Sequence, residues 1–436
     1  MLNWIFLLLL GGAVLTGAWS GSLRPVTDAG ISGARTAVEL AIGLVGQMAV
    51  WLGFMRVLQE AGLMAALARG LRPLIRRLFP EVPEDHPALG AIILNFSANI
   101  LGLGNAATPF GLKAMVELQK LNSRPGVATN AMALFLAINT SGLAVLPLGV
   151  IGVRATLGAS DAAGILLPSL LATSVTTVVA VLMTKVLQRL PAYAPERFGE
   201  ASGEASGPGP SAESMAKAES IAQAGARTDR LRLAVALALG LAVAVAAGRA
   251  LRGAGEGWLS GARLLMSDWM LPLLMLGIAL VGFVRGVKVY EAFIAGAKEA
   301  FGVATSIIPF LVAILVSIGM FRASGALAAV VSVVSPVSSL VGIPPEALPM
   351  AFIRPLSGSG ALAVMTDALK AYGPDSLIGW TVSVMNGSTE TTFYVLAVYF
   401  GAVGVKAIRH TLTACLVADV VGMVSAAWFA RLFHHG

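Results

Sequence analysis

The sequence predicts an all-α polytopic membrane protein of two inverted-topology repeats, each with a broken re-entrant hairpin, and about ten transmembrane helices in all. Three observations carry this expectation. The 436 residues are 57% hydrophobic and 12% charged, with a mean hydropathy of +0.82, whereas soluble domains carry about 25% charged residues. Two polar islands interrupt apolar stretches: NFSANILGLGNAATP, Asn95 to Pro109, and FIRPLSGSG, Phe352 to Gly360. Lipid offers no partner to a broken backbone, so such segments at membrane depth are buried in protein or line a cavity.

The third observation is an ordered recurrence. SGARTA matches AGAKEA, with Gly33 and Gly296 offset by 263. GFMRVLQEAGL matches GMFRASGAL, with Gly62 and Gly325 again 263 apart. Met115, Glu117 and Lys120 match Met365, Asp367 and Lys370 at an offset of 250. AINTSG matches VMNGST, with Asn139 and Asn386 offset by 247. One such match arises easily between apolar helices; four in the same order indicate duplication. The expected domains are a first repeat over 1–189, a flexible linker over 190–229 and a second repeat over 230–436. The linker is rich in Gly, Ser, Ala, Pro and Glu, a composition that buries little apolar surface.

Along the first half, hydropathy predicts a helix at 2–20, an amphipathic entry at about 28–37 and a helix at 38–56. A basic in-plane helix follows at 62–79, then a broken pair at 88–107 and 109–121. Helices at about 127–152 and 162–187 complete the half. The N-terminal MLNWIFLLLL lacks the basic flank of a signal peptide and is read as the first membrane helix. The second half repeats the pattern from 264–284 onward, after an extra helix at 231–249.

Charge sets the expected orientation. The in-plane helix of half one carries Arg69, Arg72, Arg76 and Arg77, while its counterpart ALAAVVSVVSPVSSLV has no charge. The positive-inside rule then places the two on opposite faces. The N-terminus and linker fall in the cytoplasm and the C-terminus outside. The net charge of +7 is read as cytoplasmic-loop Lys and Arg rather than a nucleic-acid footprint. A single cysteine, Cys415, excludes an internal disulfide framework, and four scattered histidines suggest no metal site. No zinc-protease, Walker A or dinucleotide pattern is present, so no enzyme activity, catalytic residue, cofactor or metal is expected.

The islands supply the candidate site. Asn95 and Asn99 share a helix face, with Asn95 read as packing. Asn105 and Thr108 flank a break before Pro109, whose ring suits the first turn of a new helix. Free N–H groups there favour anions or carbonyl oxygens. Asn99, Asn105 and Thr108 are therefore candidates for binding a polar solute, against helix packing through amides. Arg354, Ser357 and Ser359 take their place in half two. An intramembrane arginine faces a cavity or a partner. Arg354 either holds a carboxylate or phosphate, pairs with Asp367 or Glu390, or is an interfacial arginine. Asn139, Ser141, Asn386 and Ser388 lie where polar turn formers interrupt the following helices. Glu390 is the candidate for proton or sodium coupling, against a buried structural carboxylate or one near the surface. Glu117 and Asp367 are read as i,i+3 partners of Lys120 and Lys370. Asp419 lies in an apolar helix, either paired with a cation or titrating.

NFSANILGLGNAATPFGLKAMVELQKLN followed by LFLAINTSG resembles the spore maturation protein A family. PMAFIRPLSGSGALAVMTDALKAYGPDS followed by VMNGSTETTFYVLAVYFGAVG resembles the spore maturation protein B family. Both belong to the nucleoside-recognition, or Gate, group, so the chain resembles an A–B fusion. The resemblance implies an integral bacterial inner-membrane protein of a family linked to spore-core dehydration and maturation. The group is related to nucleoside transporters and to the channel part of ferrous iron transporters, but the paired cysteines of an iron gate are absent. The leading expectation is a transporter of a small polar or anionic solute, nucleoside-like or carboxylate, by alternating access. The expected partners are that solute, the bilayer and a coupling H+ or Na+, with a homo-oligomer left open. The rival is a non-transporting scaffold for spore or envelope assembly. An enzyme acting on a lipid-linked substrate ranks behind both.

Overall fold

In the computed structural model, residues 2–101, 107–142, 147–198, 230–253 and 269–434 are described. The linker from 199 onward and the hairpin tip at 102–106, with Asn105, lie outside them. The chain is an all-α membrane protein, and no strand occurs among the described residues beyond one isolated bridge between Val127 and Ala407.

The first half comprises α1 (Leu2–Trp19), α2 (Leu23–Glu60), α3 (Leu63–Leu78), α4 (Pro87–Ile100), α5 (Thr108–Lys120), α6 (Asn130–Thr140), α7 (Leu148–Thr156) and α8 (Leu166–Leu187). After α9 (Arg230–Gly253) come α10 (Met270–Val284), α11 (Val289–Ala323), α12 (Ala326–Leu340), α13 (Leu348–Ile353), α14 (Gly358–Tyr372), α15 (Leu377–Ser388), α16 (Thr392–Gly401) and α17 (Thr411–Phe433). Side-chain caps fix several starts. Thr129 accepts the Met132 N–H, Ser357 that of Gly360 and Ser376 that of Gly379. The separate entry segment and helix expected over 28–56 are instead one continuous helix, α2. Nothing between Ala37 and Val38 breaks it, and Pro25 sits in its first turn, where proline is tolerated.

Helices α2 and α11 pack antiparallel. A Cβ on Gly33 would stand 2.7 Å from the Leu315 carbonyl oxygen, and one on Gly296 would overlap that of Leu52. The 263-residue offset carries Gly33 onto Gly296 and Leu52 onto Leu315, so these two contacts exchange under it. Helices α8 and α17 also pack antiparallel, through Gly422 on Thr176 and Tyr193 on Thr413.

These pairs define two ends. At the linker end, Lys185 donates to the Leu78 carbonyl, Asn130 to Glu81, and Arg409 to the carbonyls of Tyr193 and Ala128. At the far end, Arg154 donates to the Pro374 carbonyl at 2.6 Å, His434 lies 2.9 Å from that of Asp375, and Trp428 donates to that of Val341. Basic α3 thus lies at the linker end and uncharged α12 at the far end.

Helix α4 runs inward from the linker end and α5 runs back toward it. The hairpin α13–α14 does the same from the far end. The pairs α6/α7 and α15/α16 cross from end to end, each with a break in the middle. This bears on the number of spans. Among the described residues, four helices are long and apolar enough to cross a bilayer alone, or five counting the pair α11/α12, bent by 79°. At 1.5 Å per residue, the 11 residues of α6 reach only ~16 Å, about half a bilayer core.

Candidate functional site

Eight helix ends converge between the two ends of the molecule: the C-termini of α4, α6, α13 and α15 and the N-termini of α5, α7, α14 and α16. Helix ends leave carbonyl and N–H groups without intrahelical partners, so this junction is polar by construction.

The first island forms a ladder. Asn95, fully buried, donates to the Ala107 carbonyl at 2.9 Å and so ties α4 to the start of α5. Asn99 donates to Asn95 at 3.3 Å and to Asn139 at 2.8 Å, and Asn139 donates to the Phe135 carbonyl. The shared face of Asn95 and Asn99 is present, and Asn95 is a packing residue. Thr108 opens α5, and its side chain and that of Asn95 stand close to the Tyr399 hydroxyl.

The breaks of the two crossing pairs touch. The Glu390 N–H donates to the Thr140 carbonyl at 3.1 Å. Gly142, at φ +69°, lies against the Thr389 backbone, where a Cβ would stand 2.7 Å from Thr389 Cα. The 247-residue offset carries Gly142 onto Thr389, so positions that match across the halves meet here. Ser141 shares a hydrogen bond with Thr177 at 2.8 Å, and Thr173 donates to the carbonyls of Ser141 and Gly142. Two threonines on α8 thereby hold the break in α6 open.

Arg354 closes the junction from the second island. It is 6% exposed and donates to the Thr389 carbonyl and, at 3.4 Å, to the Thr391 hydroxyl. Its guanidinium stands 3.6 Å from Glu390, whose side chain is 51% exposed. Of the two ion pairs foreseen for Arg354, the structure contains the one with Glu390. Asp367 pairs instead with Arg322 of α11, and not with Lys370, whereas Glu117 and Lys120 form the i,i+3 pair at 2.7 Å. Arg354 Nε and the Ser388 hydroxyl are buried without a hydrogen-bond partner. Ser357 is spent on capping α14, Ser359 is half-buried, and Asn386 meets the Met365 sulfur at 3.4 Å. Asp419 of α17, 3% exposed, accepts from Thr392 at 2.7 Å.

Asn99, Asn139, Ser141, Arg354, Glu390 and Ser388 thus fall in one connected region, continuous from the α4–α5 hairpin through both crossing pairs to the α13–α14 hairpin. Thr173, Thr177, Tyr399, Thr391 and Thr392 join them unforeseen. Of these, Thr173 and Thr177 had a readable signal: hydroxyls at i and i+4, on one face of a helix rich in Ser and Thr.

The Gate family, described as nucleoside recognition, matches residues 41–157 and 304–406, about half of the chain. The chain belongs to this family. Spore maturation protein B of Bacillus subtilis (strain 168) is 48% identical over 169 residues, covering 39% of this Gate protein and 91% of the relative. Spore maturation protein A of the same organism is 38% identical over 182 residues, covering 42% and 92%. Each relative is therefore matched almost whole by less than half of the chain, as an A–B fusion requires. The solved structure of the Alcanivorax borkumensis YdaH transporter aligns with a TM-score of 0.40 at 13% identity, over 99% of this chain and 96% of that one.

Proposed function

We propose that this Gate protein is a transporter of a small polar or anionic solute, nucleoside-like or carboxylate, working by alternating access between inverted repeats. The observation that carries the reading is the junction itself. Two hairpins from opposite ends meet two broken crossing pairs around buried polar groups, the arrangement in which transporters hold their cargo. Arg354 Nε and the Ser388 hydroxyl are the groups there with unused capacity. A buried guanidinium edge beside the N-terminus of α14 favours an anionic group. Asn99, Asn105, Thr108, Asn139, Ser141, Ser357, Ser359 and Asn386 would supply the remaining polar wall. Half-exposed Glu390, held against Arg354, would couple movement to H+ or Na+ by exchanging its partner. The chain would sit in the bacterial inner membrane with N-terminus and linker cytoplasmic and C-terminus outside, as three repeat-and-linker units over 1–189, 190–229 and 230–436.

A second reading draws on a different observation. Asn95, Asn99, Asn139 and Ser141 already satisfy one another or nearby groups, as expected of a non-transporting scaffold in spore or envelope assembly, and the relatives are named for spore maturation. A thermal-shift screen of the purified full-length chain against nucleosides, amino acids, dicarboxylates and cations separates the two. A bound solute raises apparent stability by mass action. The transporter reading expects a shift from at least one solute class in the wild type, absent in Arg354→Ala. No shift from any class, with the wild type folded, would favour the scaffold.

A further inference from the structure

A cavity of about 500 Å³ opens between α3 and the start of α4 at the linker end, away from the junction. Its lining is segregated by chemistry. Arg69 and Arg72 stand on one side, on α3. Glu84 and Asp85 stand on the other, on the loop before α4. Leu89, Ile93 and Leu94 form an apolar wall running inward along α4. We propose that this cleft binds one phospholipid of the bilayer that carries both a phosphate and a primary ammonium, a phosphatidylethanolamine headgroup.

Position comes first. Helix α3 has a buried face, Ile75 at 2% exposure, and an exposed one that mixes Leu74 with Arg69, Arg72 and Arg77. A basic amphipathic helix with exposed leucine lies at headgroup depth. The cleft beneath it is therefore open to lipid, and its apolar wall continues in the direction of an acyl chain.

The donors suit a phosphate. Arg69 and Arg72 are one turn apart, exposed, and make no ion pair among the described residues. His86 Nδ1 accepts the Ala88 N–H at 3.2 Å, which leaves the proton on Nε2 as a donor. Positions Pro87 and Gly90, also in the lining, form the first turn of α4, whose N–H groups and dipole favour an anion.

The opposite wall selects the second charge. Glu84 is paired with Arg76, while Asp85 makes no ion pair among the described residues. A purely anionic lipid would set its negative headgroup beside that free carboxylate. A headgroup with an ammonium a few bonds from its phosphate satisfies both walls at once. A primary ammonium also donates hydrogen bonds to Asp85, which a quaternary choline group does not.

The test uses the delipidated full-length protein in detergent and measures the apparent affinity of short-chain phosphatidylethanolamine, phosphatidylcholine and phosphatidylglycerol by native mass spectrometry. Wild type is expected to prefer the ethanolamine lipid by at least about fivefold, the size of one exposed charge contact. Asp85→Asn should erase that preference while leaving phosphatidylglycerol binding equal or stronger. Arg69→Ala with Arg72→Ala should weaken all three. All of these residues are exposed, so the variants keep the fold, and an unchanged thermal midpoint verifies it. Equal or tighter wild-type binding of phosphatidylglycerol, or an ethanolamine preference that survives Asp85→Asn, would overturn the proposal.

Discussion

Arg354 is a strut of the junction, and the proposed function makes it the binding group as well. Its guanidinium satisfies the Thr389 carbonyl, which the break between α15 and α16 leaves without a helical partner. Arg354→Ala should therefore lower stability by roughly 1–3 kcal/mol, the penalty of an orphaned buried acceptor, read as a fall in thermal midpoint. Arg354→Lys should recover part of that stability but not solute binding, because a lysine lacks the planar fork. A pH effect belongs to His410, just ahead of α17 and fully buried. Burial, reinforced by the neighbouring Arg409 guanidinium, lowers its imidazole from 6.5 to about 4. The unfolded chain takes up this proton near pH 6.5 and the native state only near pH 4. The stability contributed by the neutral ring is thus complete above pH 6.5 and declines as pH falls toward 4. The thermal midpoint of wild type should drop across that window, and His410→Gln should drop less. At this scale much was legible. Asn95 and Asn99 on one face, the Glu117–Lys120 pair and an intramembrane role for Arg354 all follow from local spacing. The Tyr399 contact with Asn95 and Thr108 does not, because its partners lie about 300 residues away in sequence and meet only through packing.

Among the elements, α2 and α11 depend most on small residues. Their backbones touch at Gly33 and Gly296, so a side chain at either position must push the helices apart. Gly296→Leu should destabilise by roughly 1–3 kcal/mol through overpacking, whereas the same change at Gly302, whose Cβ would meet open space, should have little effect. Comparison of the two thermal midpoints checks this. The breaks in α4–α5, α6/α7, α13–α14 and α15/α16 were readable in the sequence because Gly, Pro, Asn and Ser interrupt apolar runs there. The continuity of α2 was not. An amphipathic stretch next to an apolar one reads as two elements when hydropathy changes, although the backbone has no reason to stop. The basic helix α3 was legible from its arginines, but the acidic loop that faces it across the cleft was not, since that contact depends on how α4 departs.

For the whole molecule, the arrangement of ends orders the charge. Basic α3, Tyr193 in the first residues of the linker and the Arg409 loop share one end, and His434 lies at the other. In a Cys415→Ala background, single cysteines from Glu200→Cys and Ile408→Cys should react with an impermeant thiol reagent from the same side, and Gly436→Cys from the opposite side. Residues 200 and 408 reacting from opposite sides would break the proposed orientation. The sequence matches recur in order, and the close approaches of Gly33 to Leu315 and of Gly296 to Leu52 exchange under the same 263-residue offset, as the proposed duplication expects. The identity of the solute was not legible, because the groups that would hold it are backbone ends and common polar side chains, which many solutes satisfy. The central claim is that the junction between the opposed hairpins carries a solute across the membrane. The most direct test is flux in proteoliposomes, using radiolabelled nucleosides and dicarboxylates under an imposed pH or sodium gradient. Wild type is predicted to move at least one of these solutes above empty liposomes, with flux reduced roughly tenfold or more in Arg354→Ala and in Asn99→Ala. A flux that both variants retain in full, or none in folded wild type for either solute class, would contradict it.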